Sequence, residues 1–213
     1  MAIGIGGSYL GPEFIFEALK TDGEAAAQAT GRGLKFLANV DPIDVTRALD
    51  GVDFETTLFV IVSKTFTTAE TMLNARTCKQ KIIDFFTAQS SDCNPAEALK
   101  AHLCAVSTNL TATSAFGIAD ENVFGFWDWV GGRFSASSAV GLLPLSIHYG
   151  WDVMDKFLKG MADIDAEFFN DQTMDISVVM GLVGWYNTYI CGIESRAILP
   201  YCQALLRFPA HIQ

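Results

Sequence analysis

The run Thr57-Leu-Phe-Val-Ile-Val62 constrains this chain more than any other feature. It is short, rich in β-branched residues and apolar at consecutive rather than alternate positions. A strand of that kind buries both faces and belongs inside a sheet whose two sides are covered. Hydroxyl residues follow at once in Ser63-Lys64-Thr65-Phe66-Thr67-Thr68, and then a helical stretch, Ala69 to Phe86. Met72, Leu73, Ala75, Ile82, Ile83 and Phe86 line one stripe of it. Similar apolar runs recur. Ile3 and Ile5 close a first buried strand, Leu34 to Val40 forms a second run ended by Asp41-Pro42, and His102 to Ser107 and the aromatic stretch Asn122 to Val130 are two more. Between and after them the spacing predicts a helix opening at Pro12, a short one over 44–49, a polar loop over 90–95, and helices near 136–148, 151–169, 175–190 and 203–208. Strands alternating with helices indicate an α/β fold with a parallel sheet between helical layers. In such folds ligands bind beyond the carboxyl ends of the strands.

Composition excludes several functions. The 213 residues carry a net charge of −10 with no Lys/Arg cluster, which argues against nucleic acid and anionic membranes as partners. The five cysteines, Cys78, Cys93, Cys104, Cys191 and Cys202, lack CxxC spacing and read as reduced thiols rather than a zinc site or disulfide framework. No basic n-region precedes an apolar stretch at the start, so no signal peptide is read there. Residues 176–193 are apolar enough to mimic a membrane span. Asn187, several glycines and the adjoining Glu194 and Arg196 favour a buried core helix instead. The chain reads as a soluble protein.

Three strand-end motifs carry candidate chemistry. In Gly4-Ile5-Gly6-Gly7-Ser8 the glycines let backbone amides approach an anion at a helix start, and Ser8 adds a hydroxyl; a plain tight turn is equally consistent. In the segment from Ser63 to Thr68, four hydroxyls and a lysine meet the N-terminus of a helix, a setting suited to a phosphate dianion. The competing reading is capping by Thr67 or Thr68, with Glu70 in the first turn. Capping needs one hydroxyl. In Trp127-Asp128-Trp129-Val130-Gly131-Gly132-Arg133-Phe134-Ser135 a Gly-Gly step precedes an arginine able to steady an anionic intermediate; a surface ion pair with Asp128 or Glu121 is the alternative.

Together these motifs resemble the glucose-6-phosphate isomerase family. The order is Ile-Gly-Ile-Gly-Gly-Ser-x-Leu-Gly-Pro, Ser-Lys-Thr-Phe-Thr-Thr-x-Glu-Thr and Gly-Gly-Arg-Phe-Ser, followed by Gly192 to Tyr201 and Leu205 to Ala210. The resemblance implies a sugar-isomerase (SIS) domain over residues 1–213: a flavodoxin-like three-layer αβα sandwich around a five-stranded parallel sheet, with further C-terminal helices. It implies a cytoplasmic, homodimeric, cofactor-free enzyme that interconverts glucose 6-phosphate and fructose 6-phosphate through an enediolate. By position, Gly7 and Ser8 bind substrate, and Ser63, Lys64, Thr65, Thr67 and Thr68 cradle the phosphate. Gly132 and Arg133 lie at the reacting carbons, Arg133 as the catalytic group, and Glu70 supports the site from behind. The family's carboxylate base belongs to a stretch Asp-Met-Glu-Ser-Asn-Gly-Lys that these residues do not include, so they read as a piece truncated at both ends and without turnover alone. A free-standing, non-catalytic sugar-phosphate module is the alternative, against which the Arg133 block counts. His102, His148 and His211 are expected to be structural, and Asp163, Asp165 and Glu167 to form a solvated face. Trp185, Tyr186 and Tyr189 offer a possible dimer surface, although aromatic helical faces are usually core.

Overall fold

A computed structural model describes residues 1–90, 93–170 and 175–213. Five parallel strands, β1 (Ala2–Ile3), β2 (Phe36–Leu37), β3 (Phe59–Val62), β4 (Leu103–Val106) and β5 (Val123–Phe124), pair in the order β2-β1-β3-β4-β5. Ala2 and Ile3 pair with Phe36 and Leu37 on one side and with Val60 and Ile61 on the other. From β1 the chain first crosses to β2 and then returns to place β3 on β1's other flank. The loops leaving β1 and β3 therefore diverge and open a crevice between them.

Alternation along the strands builds two cores. Phe59, Ile61, Leu103 and Ala105 face α3 (Pro42–Leu49), α4 (Ala69–Gln89), α5 (Pro95–His102) and α6 (Leu110–Phe116), packing with Ala48, Met72, Cys78, Ile82 and Leu99. Val60, Val62, Cys104 and Val106 face Val140 and Leu143 of α7 (Ala139–Tyr149). On that second side α1 (Gly7–Leu19), α2 (Gly23–Gln28), α7 and α8 (Trp151–Phe168) gather Ile15, Ala25, Leu145, Tyr149 and Met154. Tyr149 Oη donates to Phe16 O (2.8 Å), tying α7 to α1. The expected three-layer α/β sandwich is what forms.

Several local expectations are corrected. Helix α1 opens at Gly7, where Gly6 leaves the strand at φ 59°, and Pro12 lies inside it rather than at its start. Ile3 is buried but Ile5 is 37% exposed, because the strand ends before it. Only Val123–Phe124 of the aromatic run pairs with the sheet, and only Phe36–Leu37 of 34–40. A 3-10 turn, Gly132–Ser137, precedes α7, while residues 203–208 divide into a 3-10 turn (Gln203–Leu205) and the start of α10 (Phe208–Ile212). The expected loop over 90–95 includes positions 91 and 92, which lie outside the described residues. Helices α2, α5 and α6 were not expected; their caps Asp22, Asn94 and Asn109 accept hydrogen bonds from amides of their own first turns.

The largest correction concerns α9 (Ile176–Trp185), which a π-helical turn (Tyr186–Ile190) continues. It is not a buried core helix: no residue in it is buried, and Trp185, Tyr186 and Tyr189 are 52%, 52% and 75% exposed. A helix that is apolar all round needs cover on every side, and the described residues leave most of it exposed. Among them no helix is long and apolar enough to cross a membrane. Asp163, Asp165 and Glu167 are exposed on α8.

Candidate functional site

All three motifs sit at the carboxyl edge of the sheet. The first and third touch. A Cβ added to Gly7 would lie 2.3 Å from Gly132 O and 2.5 Å from Gly132 C, so the start of α1 rests directly on the Gly-Gly-Arg turn. One turn on, a Cβ at Gly11 would lie 2.7 Å from Ala136 Cβ. Gly4 stands beside the end of β3, where an added Cβ would come within 3.3 Å of Val62 O and 3.0 Å of Ser8 Cβ. Ser8 thus flanks the point from which the hydroxyl loop departs.

That loop is shaped by Phe66, the one non-glycine residue with positive φ (56°) among the described residues. A left-handed phenylalanine costs roughly 1–2 kcal/mol. Its ring offsets the cost by entering the core, 4% exposed and edge-on to Phe116 at 5.5 Å. The reversal leaves Thr65 and Thr67 exposed on the opposite side with their hydroxyls 2.7 Å apart. Ser63 is buried and donates to Thr68 Oγ1 at 3.4 Å. Thr68 is the N-cap residue of α4, yet its side chain makes no capping bond. The first backbone bond at this end is Met72 N–H to Thr68 O, and among the described residues the amides of residues 67–71 have no backbone partner. Hydroxyls and free amides therefore converge at a positive helix end, a ready seat for an anion.

Neighbouring residues that sequence reasoning missed hold this loop in place. Lys64 O accepts from Thr108 N (3.0 Å), Thr108 Oγ1 (2.8 Å) and Ser107 Oγ (3.0 Å), and Asn109 Nδ2 donates to Thr65 O (2.9 Å). The signal was present: Ser107-Thr108-Asn109 directly follows an apolar run, as the other motifs do. Lys64 Nζ reaches the segment that follows β5, donating to Asp128 O and to Val130 O (3.2 Å). Glu70 stands exposed in the first turn of α4.

Arg133 makes no ion pair among the described residues. Glu121 pairs with Lys100 at 2.8 Å, while Arg133 Nε donates to His211 O at 2.8 Å. The C-terminal segment that supplies this carbonyl is clasped to α1. Arg207 Nε donates to Glu13 Oε2 (2.7 Å) and its Nη2 to Tyr9 Oη (2.8 Å), while His211 stacks on Phe14 at 5.4 Å. Burial, with Glu13 as hydrogen-bond partner, pushes the Tyr9 phenol up to about 12. Burial and then the Arg133 charge lower the His211 pKa. His102 bonds Thr57 O (2.8 Å) and packs on Phe86, and His148 packs between Phe16 and Tyr149, so these two rings are structural.

The sequence profile of the phosphoglucose isomerase family matches residues 1–213. The chain belongs to the phosphoglucose isomerase family. It is 55% identical over 214 residues to a cytosolic glucose-6-phosphate isomerase of Spinacia oleracea, the match covering 100% of this chain and 36% of that relative. The corresponding protein of Arabidopsis thaliana is 54% identical, with 100% and 37% covered. A crystal structure of a glucose-6-phosphate isomerase from Chlamydia trachomatis superposes with a TM-score of 0.81 at 31% identity, covering 100% of this chain and 38% of that one. A hypothetical protein from Thermus thermophilus shares the fold, with a TM-score of 0.71 at 23% identity, covering 99% of this chain and 46% of that one. This member of the family thus spans little more than a third of the length of the curated relatives it matches.

Proposed function

We propose that the crevice between β1 and β3 seats the phosphate of a hexose 6-phosphate, and that this chain supplies that seat and an arginine to an enzyme interconverting glucose 6-phosphate and fructose 6-phosphate. The observation that carries the reading is the backbone contact of Gly7 with Gly132, which puts the start of α1, with Ser8, beside the Arg133 turn. In this reading Ser63, Thr65, Thr67 and Thr68, with the backbone of Lys64 and the α4 amides, take the dianion. Each hydrogen bond to a charged group is worth about 1.5–3 kcal/mol. Gly7 and Ser8 approach the sugar, and Gly132 leaves room for it.

The reaction moves a proton between adjacent carbons through an enediolate. Arg133 is the proposed catalytic group because its fixed charge faces the oxyanion that develops. Its Nε bond to His211 O holds the guanidinium still, which is what preorganised stabilisation requires. Glu70, on the first turn of α4, is assigned a supporting role behind the phosphate seat. The resemblance gives the carboxylate base to a stretch these 213 residues do not contain, so they are expected to bind without turnover. The names of the relatives support a cytosolic setting, and no cofactor enters the scheme. A homodimer is proposed for the longer protein, with Trp185, Tyr186 and Tyr189 as candidate contacts.

Titration of the 15N-labelled chain with fructose 6-phosphate and with fructose tests the reading. Amide shifts at Ser8 and across 65–70 are expected with the phosphate ester only, and Thr65→Val with Thr67→Val should weaken binding at least roughly 10-fold. Equal responses to both sugars, or shifts confined to other regions, would refute it.

A further inference from the structure

Lys64 lies inside the hydroxyl loop, and its type and position assign its charge to the phosphate. The structure gives that charge another task. The ammonium donates to the carbonyl oxygens of Asp128 and Val130, in the segment that leads from β5 into Gly131-Gly132-Arg133. Its own carbonyl meanwhile accepts from Ser107 and Thr108, which leave β4. One residue therefore ties together the loops that follow three adjacent strands. An ammonium bonded to two carbonyls has a single N–H left, so little of it remains for an external anion. The anion seat is complete without it, since neutral hydroxyls and helix amides bind dianions at such termini.

We propose that Lys64 is a positioning residue: it locks the 127–133 segment to the hydroxyl loop, so that a phosphate seated on that loop fixes the placement of Arg133. The proposal rests on the phosphate reading above. It assigns the side chain a task distinct from phosphate contact, namely converting binding energy at the non-reacting end of the substrate into order at the reacting end.

The test compares the wild-type chain with Lys64→Met, which keeps the apolar stem and deletes the donors, and with Lys64→Arg, which keeps a cation and donors. Hydrogen exchange is followed by peptide, and fructose 6-phosphate affinity by calorimetry. In the free protein Lys64→Met should speed exchange across 127–134 roughly 10-fold while α4 is unchanged, and Lys64→Arg should restore most of the protection. Affinity for fructose 6-phosphate should fall less than about 3-fold. In the wild type the ligand should slow exchange across 127–134, and in Lys64→Met that distal response should disappear. Unchanged exchange at 127–134 with an affinity loss beyond about 30-fold would identify Lys64 as a phosphate ligand and overturn the proposal. So would faster exchange spread evenly over 127–134 and α4. If the wild type binds no fructose 6-phosphate, the functional reading fails, whereas exchange in the free proteins still decides whether Lys64 is the strut.

Discussion

Substituting Gly7 by alanine is the sharpest perturbation the structure offers. The new Cβ would lie 2.5 Å from Gly132 C and 2.3 Å from Gly132 O. Carbon atoms rest near 3.5–4.0 Å, so α1 and the Gly-Gly-Arg turn must part by about 1 Å. Both obstacles are backbone, and no side chain can swing aside. Overpacking of this kind costs about 1–3 kcal/mol. In a chain of this size that lowers Tm by roughly 2–12 °C. Helix propensity acts in the opposite direction by up to about 1 kcal/mol, so a net loss is the signature of the clash. Gly131→Ala is the matched control: φ there is −172° and an added Cβ meets nothing within 4 Å, so Tm should not move. Gly6→Ala separates strain from crowding, since its φ of 59° penalises a side chain that has open space around it, at about 1–3 kcal/mol. Differential scanning fluorimetry on the three variants reads the series directly. A Gly7→Ala protein that melts with the wild type, or a Gly131→Ala protein that falls as far as Gly7→Ala, would show that the α1–Gly132 contact is not what joins the first and third motifs.

At Phe66 the usual order of small residues should invert: Phe66→Ala and Phe66→Gly both lose the ring, at roughly 3–5 kcal/mol, but glycine relaxes the φ of 56°, so the Gly variant should have the higher urea midpoint. Burial lowers the pKa of both His148 and His211, so the unfolded chain takes up protons near pH 6.5 before the folded one does. The two histidines should therefore leave stability unaffected above that pH and lower it as pH drops below it; His148→Phe should flatten the decline, and a urea midpoint higher at pH 5.5 than at 7.5 would contradict the sign. Arg207→Met should cost about 1–2 kcal/mol, discounted for partial exposure of the pair, and speed exchange in α10, loosening the carbonyl that holds Arg133; unchanged exchange there would dissociate the clasp from the arginine.

Much of the architecture was legible in local pattern. Thr57 to Val62 is apolar at consecutive positions, and only a strand covered on both faces accommodates that, so a parallel sheet between helical layers followed. Candidate chemistry was legible where glycines, hydroxyls and one arginine fall directly after such strands. Short helices were harder: α2, α5 and α6 carry little periodicity, and their signal lay in the capping residues Asp22, Asn94 and Asn109. Partnerships lay beyond sequence reading. That Lys64 turns to the carbonyls of Asp128 and Val130, that Arg133 donates to His211 O, and that Gly7 abuts Gly132 each depend on segments distant in the chain being folded together. The fate of α9 likewise depends on what lies around it, because an apolar helix looks the same in sequence whether or not it is covered. Local sequence determines which conformation and which functional groups a segment offers. Which of those groups meet, and therefore what each charge and hydroxyl is free to bind, is decided only when the chain closes on itself.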